Sequence, residues 1–193
     1  MGIDEQIEWG NERFNSLQLS ENDLSNKSFE DCNFIDCDFI DCNWRNTSFT
    51  NCEFKNCSLS NLNMNNCKLN EVCFSESKLV GLNFSSCKSL LFFIKLNKCN
   101  VLLCNFSGRK LEGTSFRESN VKDCDFLEAK LERADFSKCD LSGSLFENCD
   151  LTRADFREAV NYSINPWQCK INKAKFSQPE VLLLLAHFEL EID

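Results

Sequence analysis

The chain has little of what catalysis requires. His187 is the single histidine among 193 residues, so no Cys–His or Ser–His triad can be assembled without another base. There are only six glycines, and none forms a phosphate-binding loop. No apolar signal segment follows Met1, and the myristoylation pattern is absent. We therefore expect a cytoplasmic protein that is not an enzyme, has no cofactor and makes no contact with a membrane.

Cysteine, in contrast, is abundant. Fourteen cysteines would suggest disulfides in a small secreted chain or zinc ligands in another context. Zinc ligands usually occur as C-x(2–4)-C pairs; most of these cysteines instead recur in steps of five along an apolar core, and only neighbours such as Cys32 and Cys37 fall within that spacing. Twelve of them fall at a small, inward-facing position of the pattern described below, where a thiol behaves as a small hydrophobic group. We expect buried free thiols and no metal, although stacked pairs such as Cys37 and Cys57 would lie within disulfide range.

The formal net charge is −9. An acidic chain is a poor direct ligand for nucleic acid, because binding to phosphates relies on cationic side chains. The charge favours a protein partner with a basic surface.

The dominant pattern is an apolar residue at every fifth position. By count, 27 apolar residues fill 27 successive positions, with one slip of two residues between Phe84 and Leu91. The first run extends from Leu24 to Phe84, and the second from Leu91 to Phe156. Eight large aromatic residues are predicted to form the centre of the core: Phe34, Phe39, Trp44, Phe54, Phe126, Phe136, Phe146 and Phe156.

Neither regular element explains a period of five. Five residues advance about 140° around a helix, so the apolar residues would spread around it. In a strand they would alternate between faces. Small residues such as Cys32 and Ala134 lie two positions before each large one, and Asn, Asp or Gly often follows. The pattern predicts short extended pieces joined by corners, which stack as a solenoid.

Stretches such as CNFIDCDFIDCNW and ADFSKCDLSGSLFENCDLTRADF resemble the A-(D/N)-(L/F)-x-x motif of pentapeptide-repeat proteins, which include the Qnr, MfpA, McbG and AlbG proteins. The resemblance implies an all-β solenoid, a right-handed quadrilateral β-helix with four repeats per coil and about seven coils. We assign the repeats to residues 22–160, with a register break near 85–95. Residues 1–21 are expected to form an N-terminal cap and residues 161–193 a C-terminal cap and dimerisation segment.

Both ends are expected to carry caps, because an open coil exposes unpaired strand edges. Residues 3–14 are predicted to include a short helix with Ile3, Ile7, Trp9 and Phe14 facing inward. At the other end, Ser177 and Glu180 form a capping-box pattern before a short apolar α-helix. That helix is too apolar for a simple cap, and the family resemblance implies a homodimer through this end. The predicted dimerisation residues are Val181, Leu182, Leu184, Leu185, Phe188, Leu190 and Ile192.

The family resemblance also implies a function, namely a DNA-mimicking protein that binds the type II topoisomerase DNA gyrase and gives protection from quinolones or toxins. The alternative is a scaffold that binds some other protein. The predicted acidic partner surface consists of Asp31, Asp36, Asp38, Asp41, Glu118, Asp135, Asp155 and Glu158. When the acids are placed on a twenty-residue coil, no single acidic stripe emerges. Lys27 and Arg109 fall at small inward positions, and we expect both to turn outward.

Overall fold

Parallel strands of two to four residues, stacked in successive coils, build the molecule. The computed structural model describes residue 3, residues 6–188 and residue 190. In these residues the chain forms a β-solenoid of about eight turns that ends in a short helix. The predicted all-β solenoid is confirmed, with about one more turn than expected.

Eighteen strands occur in the described part of the chain. In chain order they are β1 (Glu8–Gly10), β2 (Arg13–Asn15), β3 (Ser28–Glu30), β4 (Asn33–Ile35), β5 (Asp38–Ile40), β6 (Ser48–Thr50), β7 (Glu53–Lys55), β8 (Ser58–Ser60), β9 (Lys68–Asn70), β10 (Val72–Ser75), β11 (Lys78–Val80), β12 (Ile94–Asn97), β13 (Asn100–Leu102), β14 (Asn120–Lys122), β15 (Leu145–Phe146), β16 (Asp155–Phe156), β17 (Ser163–Ile164) and β18 (Lys175–Phe176). Two 3₁₀ helices, Phe84–Ser86 and Glu180–His187, complete the list.

Each coil has four sides, which we call faces A to D in chain order. Face A contains β1, β3, β6 and β9, and face B contains β2, β4, β7, β10 and β12. Face C contains β5, β8, β11, β13 and β14. Face D is joined mainly by single-residue bridges such as Asp23–Asn43 and Asn105–Asp125. In the last coils, β16 and β18 continue face B, and β15 and β17 continue face D.

The five-residue unit explains each corner. The large residue points inward between two outward ones, as in β4, where Phe34 is buried and its neighbours are partly exposed. The next residue takes a left-handed conformation, with φ of 55° at Asp36 and 52° at Asn51. Asn, Asp and Gly tolerate this conformation best, which accounts for their frequency there. The small residue then turns inward and begins the next face.

Stacked aromatic rings fill the interior. The eight residues predicted at the core centre are all at most 2% exposed. Phe34 and Phe54 stack with centroids 4.6 Å apart, and Phe116 and Phe136 stack at 4.7 Å. Rings on neighbouring faces meet edge to face, as do Phe34 and Phe39 at 5.6 Å. Both geometries are favourable for aromatic pairs.

The N-terminal helix expected within residues 3–14 is wrong. These residues include β1 and the start of β2, which pair with β3 and β4. Trp9 is buried as the first inward residue of face A, and Phe14 stacks on Phe34 at 4.9 Å. Ile3 is buried, whereas Ile7 is 70% exposed, so its predicted inward orientation is also wrong. The coils therefore extend beyond the expected limit at residue 22.

A two-residue insertion interrupts the stack. Val72 of β10 pairs with Ile94 of β12, a separation of 22 residues, whereas Asn33 of β4 pairs with Glu53 of β7. The inserted residues form a bulge in which Leu91 has a φ of 57°. Leu91 was expected to face inward, but it is 68% exposed and Phe92 is buried instead. The bulge accommodates the two extra residues, so the inward position moves from Leu91 to Phe92.

The expectation that Arg109 turns outward is also wrong. Its side chain is buried, and its guanidinium nitrogens Nη1 and Nη2 donate to the carbonyls of Cys87 and Lys88, both at 2.9 Å. The guanidinium lies 4.0 Å from the ring centroid of Phe92. Arg109 therefore fills the space and satisfies the carbonyls at the start of the bulge. Lys27 is half-buried, and its Nζ donates to the carbonyl of Gln6 at 2.7 Å.

The C-terminal helix differs from the predicted α-helix with a capping box. It is a 3₁₀ helix, and no side chain caps its first residue. The Ser177 hydroxyl instead accepts a hydrogen bond from the backbone N–H of Glu158 at 3.0 Å. The Ser177 side chain thus bonds to the preceding coil and does not cap the helix.

All fourteen cysteines are free thiols, and only Cys73 is not buried. Cys169, which was placed outside the small inward position, is buried as well, and its Sγ donates to the carbonyl of Phe146 at 3.3 Å. Among the described residues, no group of three or more His, Cys, Asp or Glu side chains could hold a metal ion. Within that same part of the chain, no helix has the length and apolar character needed to cross a membrane.

Candidate partner-binding surface

The first four predicted acidic residues surround a single coil. Asp31 lies at the corner between faces A and B, Asp36 at the next corner, Asp38 on face C and Asp41 at the corner with face D. The Nδ2 group of Asn56 donates to Asp36 at 2.6 Å. The structure therefore does not bring these four carboxylates together on one surface.

The other four predicted acidic residues share face B, but cations lie among them. Asp155 receives a hydrogen bond from Arg157 Nη2 at 2.6 Å, and Lys175 Nζ lies 3.8 Å away. The Arg157 hydrogen bond lowers the pKa of Asp155 against the opposing effect of burial. Glu118 pairs with Arg117 at 3.3 Å. These neighbours neutralise Asp155 and Glu118, so this face is not a strongly negative surface.

A different surface carries the excess of acid. Among the residues that the structure describes, faces C and D together, with the corners that follow each of them, hold nine carboxylates and three cations; we call this surface the acidic side. The carboxylates are those of Glu21, Asp23, Asp38, Asp41, Asp123, Asp125, Glu128, Asp140 and Glu147, and the cations are Arg45, Lys78 and Lys122. Only Asp38 and Asp41 of the predicted set belong to it.

The carboxylates of the acidic side form two groups. One group lies on the first two coils, and the other surrounds the corner between faces C and D near β14 and β15. Between them, face D carries the uncharged series Asn43, Asn63, Asn83 and Asn105. Four coil steps separate Asp41 from Asp123, or about 19 Å at a strand spacing of about 4.8 Å. A partner must therefore offer two positive patches at that separation.

Most carboxylates of the second group are free to meet a partner. Asp123, Glu128 and Glu147 are exposed, and no ion pair within the described residues involves them. Asp140 is the exception, because Lys122 Nζ lies 2.6 Å from its carboxylate. Burial opposes ionisation of Asp140, yet hydrogen bonds from Asn161, Lys122 and Ser142 lower its pKa well below the usual value.

The density of charge is lower than that of DNA. From Glu21 to Glu147 the acidic side spans six coil steps, or about 29 Å. Nine carboxylates over that length give one per roughly 3 Å, whereas duplex DNA carries one negative charge per ~1.7 Å of axis. The acidic side therefore resembles a DNA backbone mainly at its two charged ends.

An apolar groove marks the C-terminal end. It has a volume of about 510 Å³ and is lined by Val160, Asn161, Pro179, Glu180, Leu182, Leu183, Leu185, Ala186 and Leu190. Leu182 and Leu190 are 53% and 57% exposed. Val181, Leu184, Leu185 and Phe188 are half-buried, and Leu184 packs against the core. Ile192, the last predicted dimerisation residue, lies outside the described residues.

The helix beside this groove is held in place from one side only. Tyr162 Oη donates to the carbonyl of Glu180 at 2.7 Å, and Trp167 contacts Phe188 with ring centroids 5.6 Å apart. No residue of the helix is buried. The apolar side chains on its outer side thus remain open to another molecule.

The charge pattern of the acidic side could have been found from the sequence. It requires laying each charge on its face and allowing for the two-residue slip, which shifts every later residue. The bulge residues Leu90 and Leu91 are 79% and 68% exposed. Sequence alone did not identify them as surface residues, because their apolar character predicts burial.

Two family models match the chain. The one described as "Pentapeptide repeat region" matches residues 91–156, and the one described as "Pentapeptide repeats (8 copies)" matches residues 13–51 and 32–71. No curated protein matches the chain in sequence.

Solved structures resemble the chain in fold. Two trypsin-treated variants of QnrB1, a plasmid-mediated fluoroquinolone resistance protein, are each 18% identical to it. The first has a TM-score of 0.80 and the match covers 96% of this chain and 97% of that chain. The second has a TM-score of 0.59 and covers 96% and 90%. At this identity the likeness concerns the fold.

Proposed function

Because this chain belongs to the pentapeptide-repeat family, we propose that it is a non-catalytic cytoplasmic protein that binds DNA gyrase in place of DNA. In this role it protects the enzyme from quinolones or toxins. The observation that carries the proposal is the acidic side, which holds nine carboxylates and only three cations. The fold shared with QnrB1, a fluoroquinolone resistance protein, is consistent with it.

The physical basis is charge complementarity. A surface that binds DNA is basic, because it neutralises phosphates with Lys and Arg. The exposed carboxylates Asp123, Glu128 and Glu147 offer negative charge to such a surface without prior loss of an internal ion pair. The opposite side carries a mixture of signs and is less suited to that contact.

A supercoiling assay with purified gyrase tests this proposal. We expect the protein, at micromolar concentration, to inhibit supercoiling or to relieve inhibition by a quinolone. The absence of both effects over a wide range of concentrations would contradict the proposal.

A matched pair of variants locates the contact. The first combines Asp123→Asn, Asp125→Asn, Glu128→Gln and Glu147→Gln on the acidic side. The second combines Glu112→Gln, Glu118→Gln, Glu132→Gln and Glu158→Gln on faces A and B, so that both lose four carboxylates. We expect the first variant to lose most of the effect on gyrase and the second to retain it. An equal loss in both would show that net charge alone is responsible.

We also propose that two copies associate through the C-terminal groove. Its apolar lining includes the exposed Leu182 and Leu190. Exposed apolar patches of this kind are typical of interfaces, and a two-fold axis would place the same groove on both copies.

The alternative is a scaffold that binds a different protein, and the bulge favours it. Leu90 and Leu91 are the most exposed leucines among the described residues. If the protein does not act on gyrase, pull-down with the wild type and with a Leu90→Ser, Leu91→Ser variant tests this alternative. A partner retained equally by both variants would argue against the bulge.

A further inference from the structure

Three cations lie on consecutive coils at the corner between faces A and B. Arg133, Arg153 and Lys173 occupy the same turn position, with φ values of 60°, 61° and 61°. The backbone N–H of Arg133 donates to the carbonyl of Thr152, and that of Arg153 donates to the carbonyl of Asn172, so the three coils are in direct contact. We call these three residues the cation ladder. Its rungs are separated by about 4.8 Å, the spacing of stacked strands.

The same corner is built differently in the first coils. There it holds Asn11, Asp31, Asn51 and Glu71, and the Asn51 side chain donates a hydrogen bond to Asp31. Asparagine and aspartate suit the left-handed turn and bond to each other across coils. Replacing them by stacked cations removes that bond and adds like-charge repulsion between neighbours. The cation ladder therefore weakens the stack at this corner, and a role outside folding explains it better.

The cations of the ladder are largely unpaired. No ion pair within the described part of the chain involves Arg153 or Lys173. Arg133 contacts only its exposed neighbour Glu132, at 3.4 Å. A groove of about 480 Å³ runs beside the ladder and is lined by Arg133, Asp135, Arg153, Asp155, Lys173 and Lys175. The groove holds four cations and two carboxylates, so it attracts an anion.

The surrounding surface has the same sign. From residue 110 to residue 175, faces A and B with the corners that follow each of them carry ten cations and seven carboxylates. This surface lies opposite the acidic side, in a chain whose net charge is −9. The two signs are therefore separated across the rod in its C-terminal half.

We propose that the cation ladder binds an acidic helical segment of a partner protein, with one carboxylate at each rung. Side chains three or four residues apart on a helix are about 5–6 Å from each other, close to the spacing of the rungs. On the adjoining surface, cationic side chains already pair with carboxylates of this chain, as in Arg157–Asp155 at 2.6 Å and Lys170–Asp150 at 3.5 Å. Asp135 and Asp155 in the groove repel other anions, which disfavours a phosphate backbone because its charges are more closely spaced than carboxylates one helical turn apart.

Fluorescence anisotropy tests this inference with a labelled helical peptide whose glutamates recur every three or four residues. The ladder variant is Arg133→Gln, Arg153→Gln, Lys173→Gln. Its control is Lys55→Gln, Lys68→Gln, Lys98→Gln, which removes three exposed cations from faces A and B elsewhere. We expect the ladder variant to bind the peptide about tenfold more weakly than the wild type, the combined effect of three exposed ion pairs. The control variant should bind within about twofold of the wild type.

Three results would overturn the inference. They are no binding of the peptide by the wild type, an equal weakening in both variants, and tighter binding of a labelled DNA duplex than of the peptide. All variants are compared at the same ionic strength, because exposed charges are screened by salt. The test uses no gyrase, and the ladder lies away from the acidic side. Failure of the gyrase proposal and failure of this one are therefore distinguishable.

Discussion

At the scale of single residues, the small inward position joins each coil to the one before it. Its thiol or hydroxyl donates to a carbonyl 23 residues earlier, as in Cys139 to Phe116 at 2.9 Å and Thr47 to Leu24 at 2.6 Å. Burial raises the pKa of Cys139 to about 12, so the thiol keeps its proton and remains a donor. This explains why Cys, Ser and Thr are frequent at this position.

Arg109 is the residue whose loss should matter most at the bulge. Replacing it by alanine leaves the carbonyls of Cys87 and Lys88 without their donors. We expect Arg109→Ala to lower the free energy of unfolding by about 2–4 kcal/mol, because a buried carbonyl left unpaired costs ~1–3 kcal/mol and the packing of the arginine against Phe92 is lost as well. Urea unfolding measures the change. Arg153→Ala, at an exposed position, is the control and should stay within ~0.5 kcal/mol of the wild type. Equal destabilisation by the two changes would refute the role given to Arg109.

At the scale of elements, the bulge lengthens the coil between β10 and β12 to 22 residues. It exposes Leu90 and Leu91 and leaves Phe92 inside. On face B, Leu96 stands between the stacked rings of Phe74 and Phe116. The stack of rings on face B is therefore divided in two at this point, whereas on face D Phe84 and Phe106 stack across it at 4.7 Å.

The conformation of Leu91 can be tested directly. Its φ of 57° is unfavourable for a leucine, and the side chain is 68% exposed. Leu91→Gly should therefore be neutral or stabilise the protein by up to ~1 kcal/mol, since glycine adopts this conformation without a penalty. Leu90→Gly is the matched control, because Leu90 is also exposed, at 79%, but has no positive φ. It should destabilise the protein. Thermal unfolding of both variants measures the change in stability. Similar shifts in melting temperature would contradict the left-handed conformation assigned to Leu91.

The repeat made most of the fold predictable, because large, small and turn residues recur at fixed offsets. The same five-residue pattern also includes Trp9, Phe14, Leu19 and Leu24. Extended to the start of the chain, the five-residue pattern predicts further coils and not a helical cap. The spacing of Ile3, Ile7 and Phe14 also fits one face of a helix, and this second pattern suggested a helix where the structure has strands.

The environment of Arg109 was not predictable, because it depends on where the inserted residues place carbonyls and the Phe92 ring. A lone arginine at a small position indicates exposure in the absence of such partners. The acidic side depended on the same slip. Without the correct length of that coil, Asp123 and Glu147 cannot be assigned to the same side as Asp41.

At the scale of the whole molecule, the C-terminal groove predicts how copies associate. Leu182→Glu places a charge in the groove and should shift the protein to monomer, because burying an unpaired carboxylate is costly. Leu145→Glu is the control, since Leu145 is 54% exposed on face D and away from the groove. Sedimentation velocity over a range of concentrations measures the assembly. A wild type that remains monomeric, or a dimer that persists in Leu182→Glu, would contradict the proposed interface.

The separation of charge across the rod also affects the kinetics of encounter. A body that is negative on one side rotates in the field of a positively charged surface before the two touch. A larger share of collisions then begins in the productive orientation, so the acidic side should raise the association rate constant more than it lowers the dissociation rate constant. This advantage declines as salt shortens the range of the field.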